Sequence, residues 1–281
     1  MQIPDWIHVQ PVILAVFAAV FAFLIAASAV TLGIRFAKGG LDEVWLRIKT
    51  WWIMIGILAV AITTNEVVTI AFFALVSFLA LREFISLIPT RRADRVILMV
   101  AFLLIPLQYF LVYIQWYGLF IILIPVYAFL AFPMLMVSTG ETEGFLKAVS
   151  SIHWGLMTAV FALSHAAYLL ALPERGNPAA GSVGLVMFLL IITQLNDVLQ
   201  FLWGKALGRH PITPKVSPKK TWEGFLGGLV TTIGVSYLLA PILTPLTMIE
   251  SLWIGALLAA AGFVGDVNMS AVKRDSREIQ S

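Results

Sequence analysis

Long apolar segments recur along almost the whole chain, and they constrain its fold more than any other feature. Of the 281 residues, 60% are hydrophobic and only 12% are charged, whereas soluble domains carry about 25% charged residues. A helix that crosses a bilayer core needs about 20 mostly apolar residues. We therefore predict an all-α, polytopic integral membrane protein with about nine transmembrane helices. The predicted spans are residues 12–34, 51–64, 67–88, 96–113, 116–137, 153–172, 182–203, 224–246 and 250–264.

The second predicted span is short for a bilayer core. It either tilts or extends back through Trp51 and Trp52 into the interface, and Asn65 and Glu66 would then form a very tight turn. Both a tilted second helix and one that extends towards the N-terminus fit the short distance between the second and third spans.

The basic residues favour one orientation. With the N-terminus outside and the C-terminus in the cytoplasm, every one of the 18 Lys and Arg residues except Arg175 lies on the inner side, as the positive-inside rule requires. The longest predicted loops, near 35–50, 138–152 and 204–223, then face the cytoplasm. The N-terminus also lacks the basic segment of a cleavable signal, so we expect the first helix to remain in the mature protein.

Several kinds of chemistry lack support in this sequence. Cysteine is absent, which excludes a disulfide framework, a thiolate nucleophile and a cysteine-based zinc site. The motifs H-E-x-x-H, G-x-S-x-G and G-x-x-x-x-G-K-[ST] do not occur, so zincin, serine-hydrolase and P-loop assignments are disfavoured.

Two polar clusters interrupt the apolar pattern near the C-terminus. The first runs from Asn196 to Gly228 and the second from Gly265 to Asp275. Charge at the end of a membrane helix is costly and usually functional. Acids and cations together beside a bilayer suggest a metal ion and a phosphate. We divide the chain accordingly into N-terminal transmembrane helices, residues 1–190, and a C-terminal region of catalytic type, residues 191–281.

Asp197 and Asp266 are the candidate metal ligands. Mg²⁺ prefers one or two carboxylates together with phosphate oxygens and water. The alternative for Asp197 is a structural acid paired with a nearby cation. For Asp266 it is a contact at the helix end with Ser270 or Lys273. If the ninth helix continues, Asp266, Ser270 and the Lys273–Arg274 pair share roughly one face.

The loop at 204–223 presents cations and hydroxyls on an extended backbone. Pro211, Pro214 and Pro218 exclude a helix there, and fixed, extended cations suit a polyphosphate. The alternative is an ordinary basic loop that meets anionic lipid headgroups. Thr221 is also suited to cap the next helix, and the glycines at 224, 227 and 228 favour close helix approach. The candidate phosphate-binding residues are Lys215, Ser217, Lys219, Lys220 and Thr221.

At these residues the chain resembles the CDP-diglyceride synthetase (phosphatidate cytidylyltransferase) family. The resemblance rests on N-D at 196–197, G-K at 204–205, P-K-V-S-P-K-K-T-W-E-G-F-L-G-G at 214–228, G-D at 265–266 and S-A-V-K-R-D at 270–275. It covers about residues 190 to 275, whereas the N-terminal half is similar mainly in being hydrophobic and in R-E-F at 82–84.

The resemblance implies that CTP and phosphatidate give CDP-diacylglycerol and pyrophosphate, in a bacterial inner membrane with the site facing the cytoplasm. It implies Mg²⁺, bound by Asp197 and Asp266, and leaves open a second cation and a homodimer. No nucleic-acid partner is expected. Lys273 and Arg274 would hold phosphatidate or the leaving group. The implied substrate-binding residues are Asn196, Lys205, Lys215, Ser217, Lys219, Lys220, Thr221, Glu223 and Ser270.

The sequence departs from the family pattern after Arg274. In the family, K-R leads to a further K-D, then Pro-Gly-His-Gly-Gly, then Asp-Arg, whereas here K-R-D runs into S-R-E-I-Q-S. We therefore expect weak or no turnover from residues 1–281. One alternative function is an impaired relative that binds lipid phosphate or nucleotide without turnover.

Two other classes of membrane protein fit less well. A CDP-alcohol phosphotransferase would need D-G-x-x-A-R, which is absent. A transporter or channel would place ionisable residues in mid-membrane, whereas the charges here cluster at helix ends.

Overall fold

Nine long apolar helices dominate the computed structural model, which describes residues 10–38, 42–140, 142–173, 177 and 179–280. Within these ranges, all nine helices are long and apolar enough to cross a membrane, which confirms the predicted fold class. They are α1 Pro11–Lys38, α2 Asp42–Thr64, α3 Glu66–Leu87, α4 Arg95–Tyr113, α5 Tyr117–Ser138, α6 Phe145–Ala171, α7 Gly181–Leu207, α8 Trp222–Leu243 and α9 Met248–Gln280. Helix α5 includes a π-helical segment, Leu123–Ala128, and α6 includes another, Met157–Phe161.

Several helix ends differ from the prediction. Helix α2 begins at Asp42, so the second span extends towards the N-terminus, and the predicted loop at 35–50 is wrong. The loop predicted at 138–152 is also wrong, because α6 already begins at Phe145. Helix α9 continues to Gln280 instead of ending at residue 264. Hydropathy marks only the apolar part of a helix, whereas the backbone hydrogen bonds continue into polar residues.

The tight turn between α2 and α3 is confirmed. Asn65 is the single residue between the two helices, and its side chain accepts a hydrogen bond from the backbone N–H of Val68 at 2.8 Å. The Thr69 hydroxyl lies within hydrogen-bond distance of the carbonyls of both Ala61 and Asn65. One capping residue therefore reverses the chain because side chains satisfy the helix-end backbone groups.

The buried apolar side chains form two clusters. One lies among α3, α4, α5 and α6, with Val186 of α7 at its edge. The other joins α1 and the end of α2 to α7, α8 and α9, through residues such as Phe17, Ile62, Met187 and Leu243. The first two helices therefore share a core with the last three. The predicted boundary at residue 190 stays a prediction.

Helices α7 and α8 cross closely where glycines replace larger side chains. A Cβ atom placed on Gly224 would lie 2.9 Å from the backbone oxygen of Gln200 and 3.0 Å from the Cα atom of Gly204. A Cβ atom on Gly228 would lie 3.0 Å from the Cα atom of Gln200. Only glycine fits at such a crossing, which confirms the predicted close approach.

The segment between α7 and α8 is a short β-hairpin. Strand β1, Pro211–Thr213, pairs antiparallel with β2, Ser217–Thr221, and the register is irregular between Pro211 and Thr213. The hairpin confirms the extended backbone that the prolines predict. It adds one two-stranded element to an otherwise helical fold in the described part of the chain.

Substitution of Gly224 by Ala should lower the thermal unfolding temperature of the detergent-purified protein by several degrees. The added methyl group meets backbone atoms that have little room to move, and overpacking of this kind costs about 1–3 kcal/mol. Gly234→Ala is the matched control, because no described atom lies within 4 Å of a Cβ atom placed there. Equal unfolding temperatures for the two variants would contradict the tight crossing.

The predicted orientation is testable because the sequence has no cysteine. A membrane-impermeant maleimide should label Lys215→Cys, in the exposed turn between β1 and β2, only in inverted bacterial vesicles. Trp116→Cys, between α4 and α5, should be labelled only in right-side-out vesicles. Labelling of both variants from the same side would contradict the topology. Arg175, the predicted outer cation, lies outside the described residues.

Candidate functional site

The candidate site lies where α7 ends, α8 begins and α9 passes both. The hairpin connects α7 to α8, and the hydroxyl oxygen of Thr221 accepts a hydrogen bond from the backbone N–H of Gly224 at 3.2 Å. This is the N-cap of α8 that the sequence predicts. The crossing at Gly204 and Gly224 fixes the hairpin against α7, so Lys220 of β2 is held beside the acids of α7 and α9.

An ion pair joins the two polar clusters. The ammonium of Lys220, on β2, pairs with the carboxylate of Asp266, on α9. Asp197, on α7, lies close enough to interact electrostatically with both groups. The side chain of Lys220 is 23% exposed and that of Asp266 is 46% exposed, so the cluster is open to solvent on one side. Three elements that are distant in sequence thus place two acids and one cation together.

This donor set fits a magnesium ion. Among the described residues, no group of three or more His, Cys, Asp or Glu side chains could hold a metal, so an all-protein cage is not formed there. Mg²⁺ instead binds through one or two carboxylates and completes its coordination with phosphate oxygens and water. Asp197 and Asp266 supply two carboxylates from facing helices, which matches that requirement.

Glu223 holds the start of the basic loop. Its carboxylate accepts hydrogen bonds from the backbone N–H groups of Arg209, at 3.0 Å, and His210, at 3.2 Å. The ring Nδ1 of His210 also contacts this carboxylate. The backbone N–H of Trp222 donates to the carbonyl of His210 at 2.9 Å. Glu223 therefore fastens the two ends of the segment that carries the hairpin, and its predicted contact with substrate stays a prediction.

Asn196 is buried between α7, α8 and α9. Its side-chain oxygen accepts hydrogen bonds from Gln200 at 3.0 Å and from Thr232 at 3.2 Å. Its amide nitrogen donates to the carbonyl of Ala259 at 3.4 Å. A buried polar group needs such hydrogen-bond partners. This network holds α7, α8 and α9 together at the residue next to Asp197. The structure thus gives Asn196 a positioning role, and a direct contact with substrate remains only a prediction.

The remaining predicted residues lie on α7 and on the hairpin. Lys205, Lys215 and Lys219 are exposed, and Ser217 is partly exposed on β2. These residues present cations and hydroxyls around the hairpin, in positions that suit a bound polyphosphate.

On α9, Lys273 and Arg274 are exposed about two turns beyond Asp266. The hydroxyl of Ser270 donates to the backbone carbonyl of Asp266 at 2.8 Å, so this hydroxyl bonds back to its own helix. The predicted contacts of these residues with substrate stay predictions.

Sequence analysis missed Gln200, Thr232 and Phe263. Gln200 and Thr232 complete the buried network around Asn196, and the ammonium of Lys220 lies 6.0 Å from the ring centre of Phe263. The spacing of four residues from Asn196 to Gln200 was a usable signal, since such residues share a helix face. Thr232 and Phe263 carried no comparable signal, because their roles depend on contacts between helices.

A shallow cleft of about 310 Å³ lies between α3, α6 and the part of α9 that follows Asp266. Phe84, Leu87 and Trp154 give it an apolar wall, and Val272 and Asp275 line it from α9. These two residues flank the exposed pair Lys273 and Arg274 in the sequence of α9.

Several known proteins are similar to this chain in sequence. Residues 45–277 match the model of the cytidylyltransferase family. The "uncharacterized protein YnbB" of Escherichia coli K12 is 43% identical over 262 residues, which cover 92% of this chain and 85% of that protein. Phosphatidate cytidylyltransferase of Mycobacterium bovis is 38% identical over 111 residues, covering 38% of this chain and 33% of the enzyme.

A similar match extends to a human protein. Phosphatidate cytidylyltransferase 1 of Homo sapiens is 30% identical over 143 residues, covering 49% of this chain and 30% of that enzyme. The alignments with these two named enzymes thus span about a third of their lengths. The family match, in contrast, extends over most of this chain and includes the hairpin and both acids. The chain belongs to the cytidylyltransferase family.

Proposed function

We propose that this protein transfers a cytidylyl group from CTP to phosphatidate, giving CDP-diacylglycerol and pyrophosphate. The observation that carries the proposal is the meeting of Lys220, Asp266 and Asp197 at the start of α8. Membership of the cytidylyltransferase family supports the reaction type. The names of the partial relatives support phosphatidate as the acceptor. We place the reaction at the cytoplasmic face of a bacterial inner membrane.

The reaction forms one phosphorus–oxygen bond and breaks another. A phosphate oxygen of phosphatidate attacks the α-phosphorus of CTP, and the bond from that phosphorus to the β-phosphate oxygen breaks. Pyrophosphate leaves with the bonding electron pair. A phosphate monoester is already largely ionised at neutral pH, so the attacking oxygen needs little help from a general base. The task of the protein is therefore to align the substrates and to neutralise charge.

Residues at different positions in the site would align the substrates and neutralise their charge. Asp197 and Asp266 would hold Mg²⁺, which when bound supplies positive charge to the phosphates in the transition state. The cations of the hairpin, Lys215 and Lys219, face the solvent from which CTP arrives. Lys273 and Arg274 would hold the phosphate of phosphatidate.

The adjoining cleft would receive the apolar part of the lipid. Its wall carries Phe84, Leu87 and Trp154, and burial of acyl chain against such side chains is favourable because it removes apolar surface from water. Val272 and Asp275 of the cleft belong to the same segment of α9 as Lys273 and Arg274, so one lipid would place its phosphate near the cations and its acyl chains against the apolar wall.

Protein comprising residues 1–281, purified in detergent, should form CDP-diacylglycerol from labelled CTP and phosphatidate in the presence of Mg²⁺, at the low rate expected from the departure from the family pattern after Arg274. The same reaction with EDTA should give no product, because the two carboxylates alone leave the phosphate charge uncompensated. Product would be measured by thin-layer separation of the labelled lipid. An absence of product, with CTP or phosphatidate still bound, would instead support the alternative of a protein that binds these ligands without turnover.

Asp266→Asn should reduce Mg²⁺-dependent product formation by more than about 100-fold, since loss of a charged ligand removes several kcal/mol of charge stabilisation. Glu250→Gln makes the same chemical change at the opposite end of α9, where the carboxylate bonds only to Thr247 among the described residues. That variant should retain parental activity. Turnover by Asp266→Asn within a few-fold of the parent would remove Asp266 from the site.

A further inference from the structure

Lys219 and Lys220 are adjacent on β2 but face different surroundings. Successive side chains of a strand point to opposite faces. Lys219 is exposed, whereas the side chain of Lys220 is 23% exposed and its ammonium contacts Asp266. The same ammonium lies 6.0 Å from the ring centre of Phe263, one turn before Asp266 on α9. Only one of the two lysines is therefore directed into the acid cluster.

The acids of the cluster need a positive charge between them. Asp197 and Asp266 repel each other, and the electrostatic attraction of Lys220 acts on both. Among the residues that the structure describes, Lys220 is the one cation in ion-pair contact with either acid. An acid pair on membrane-spanning helices is costly when it is left uncompensated. Lys220 therefore stabilises the arrangement of α7, α9 and the hairpin.

We propose that Lys220 is the resident counter-ion of the Asp197–Asp266 pair, and that a divalent cation displaces it on binding. This inference rests on the proposed function, since it takes these two acids as the metal ligands. A carboxylate oxygen of Asp266 that contacts an ammonium is the same group that a metal ion must reach. The long, flexible side chain of lysine allows the ammonium to move without the backbone.

The displaced ammonium has a second use. Once the metal ion neutralises the acids, Lys220 is released next to Lys219 on the hairpin, where phosphates of the nucleotide are expected. Metal binding thus adds one cation to the phosphate-binding surface, and the surface stays incomplete while the acids are unoccupied. The sequence predicted only that Lys220 contacts phosphate. The ion pair with Asp266 indicates that Lys220 first neutralises the acids.

Amine labelling tests the displacement directly. The protein comprising residues 1–281, in detergent and without nucleotide, would be treated briefly with acetic anhydride, with or without Mg²⁺. The acetylation of each lysine would then be measured by mass spectrometry. Mg²⁺ should increase the labelling of Lys220 severalfold and leave that of Lys219 unchanged. Asp266→Asn should make Lys220 reactive without Mg²⁺. Labelling of Lys220 that does not respond to Mg²⁺ would overturn the proposal.

Metal affinity gives an independent test. Mn²⁺ binding, followed by electron paramagnetic resonance in the absence of nucleotide, should tighten by roughly twofold to fivefold in Lys220→Met, the scale of one partly exposed ion pair. Lys219→Met carries the same charge change one residue away and should change the affinity much less. Equal affinities of the two variants, or no Mn²⁺ binding by Lys220→Met, would contradict the proposal.

These outcomes are separate from those of the proposed reaction. If Mn²⁺ binding and labelling behave as expected but no CDP-diacylglycerol forms, the metal site and its counter-ion stand and the reaction is wrong. If product forms with Mg²⁺ but Lys220 stays unreactive, the reaction stands and the displacement is wrong.

Discussion

The ion pair between Lys220 and Asp266 is the interaction on which the candidate site depends. It connects the hairpin to α9 and brings Asp197 of α7 into the same cluster. Charges at the end of membrane helices are stable only when they are solvated or paired. The pair therefore positions the acids as well as compensating them. This ion pair is the contact that joins the two polar clusters of the sequence into one site.

Close helix packing makes this contact possible. At Gly224 and Gly228, α8 approaches the backbone of α7 so closely that a methyl group would not fit. The buried network of Asn196, Gln200 and Thr232 fixes α9 against the same pair of helices. Interhelical hydrogen bonds and small residues are the usual means of holding helices together in a membrane, where apolar burial between helices gives little advantage over lipid. The three packed helices therefore hold the acid cluster in place.

Most of the fold was predictable from the sequence, and the errors in the predicted loops have a common cause. Apolar runs identify nine spans because a helix needs about 20 apolar residues to cross the hydrocarbon core. The prolines around residue 214 predict an extended backbone, and the structure forms a hairpin there. The predicted loops at 35–50 and 138–152 were wrong because helices continue into polar residues, where hydropathy no longer marks them. The candidate acids and lysines were also identified from sequence. Their partners were not, since pairing across helices leaves no periodic signal along the chain.

The sequence by itself determined the fold class, the resemblance to a cytidylyltransferase and the residue types of the site, because each depends on local composition or on a contiguous motif. The tertiary structure decided which of two adjacent lysines enters the acid cluster. It also showed that Glu223 holds the start of the basic loop at Arg209 and His210. Asn196 forms a hydrogen bond from α7 to α9. These outcomes depend on distances between residues up to 69 positions apart along α7, the hairpin and α9 (from Asp197 to Asp266). Such distances are set by helix crossing and not by sequence spacing.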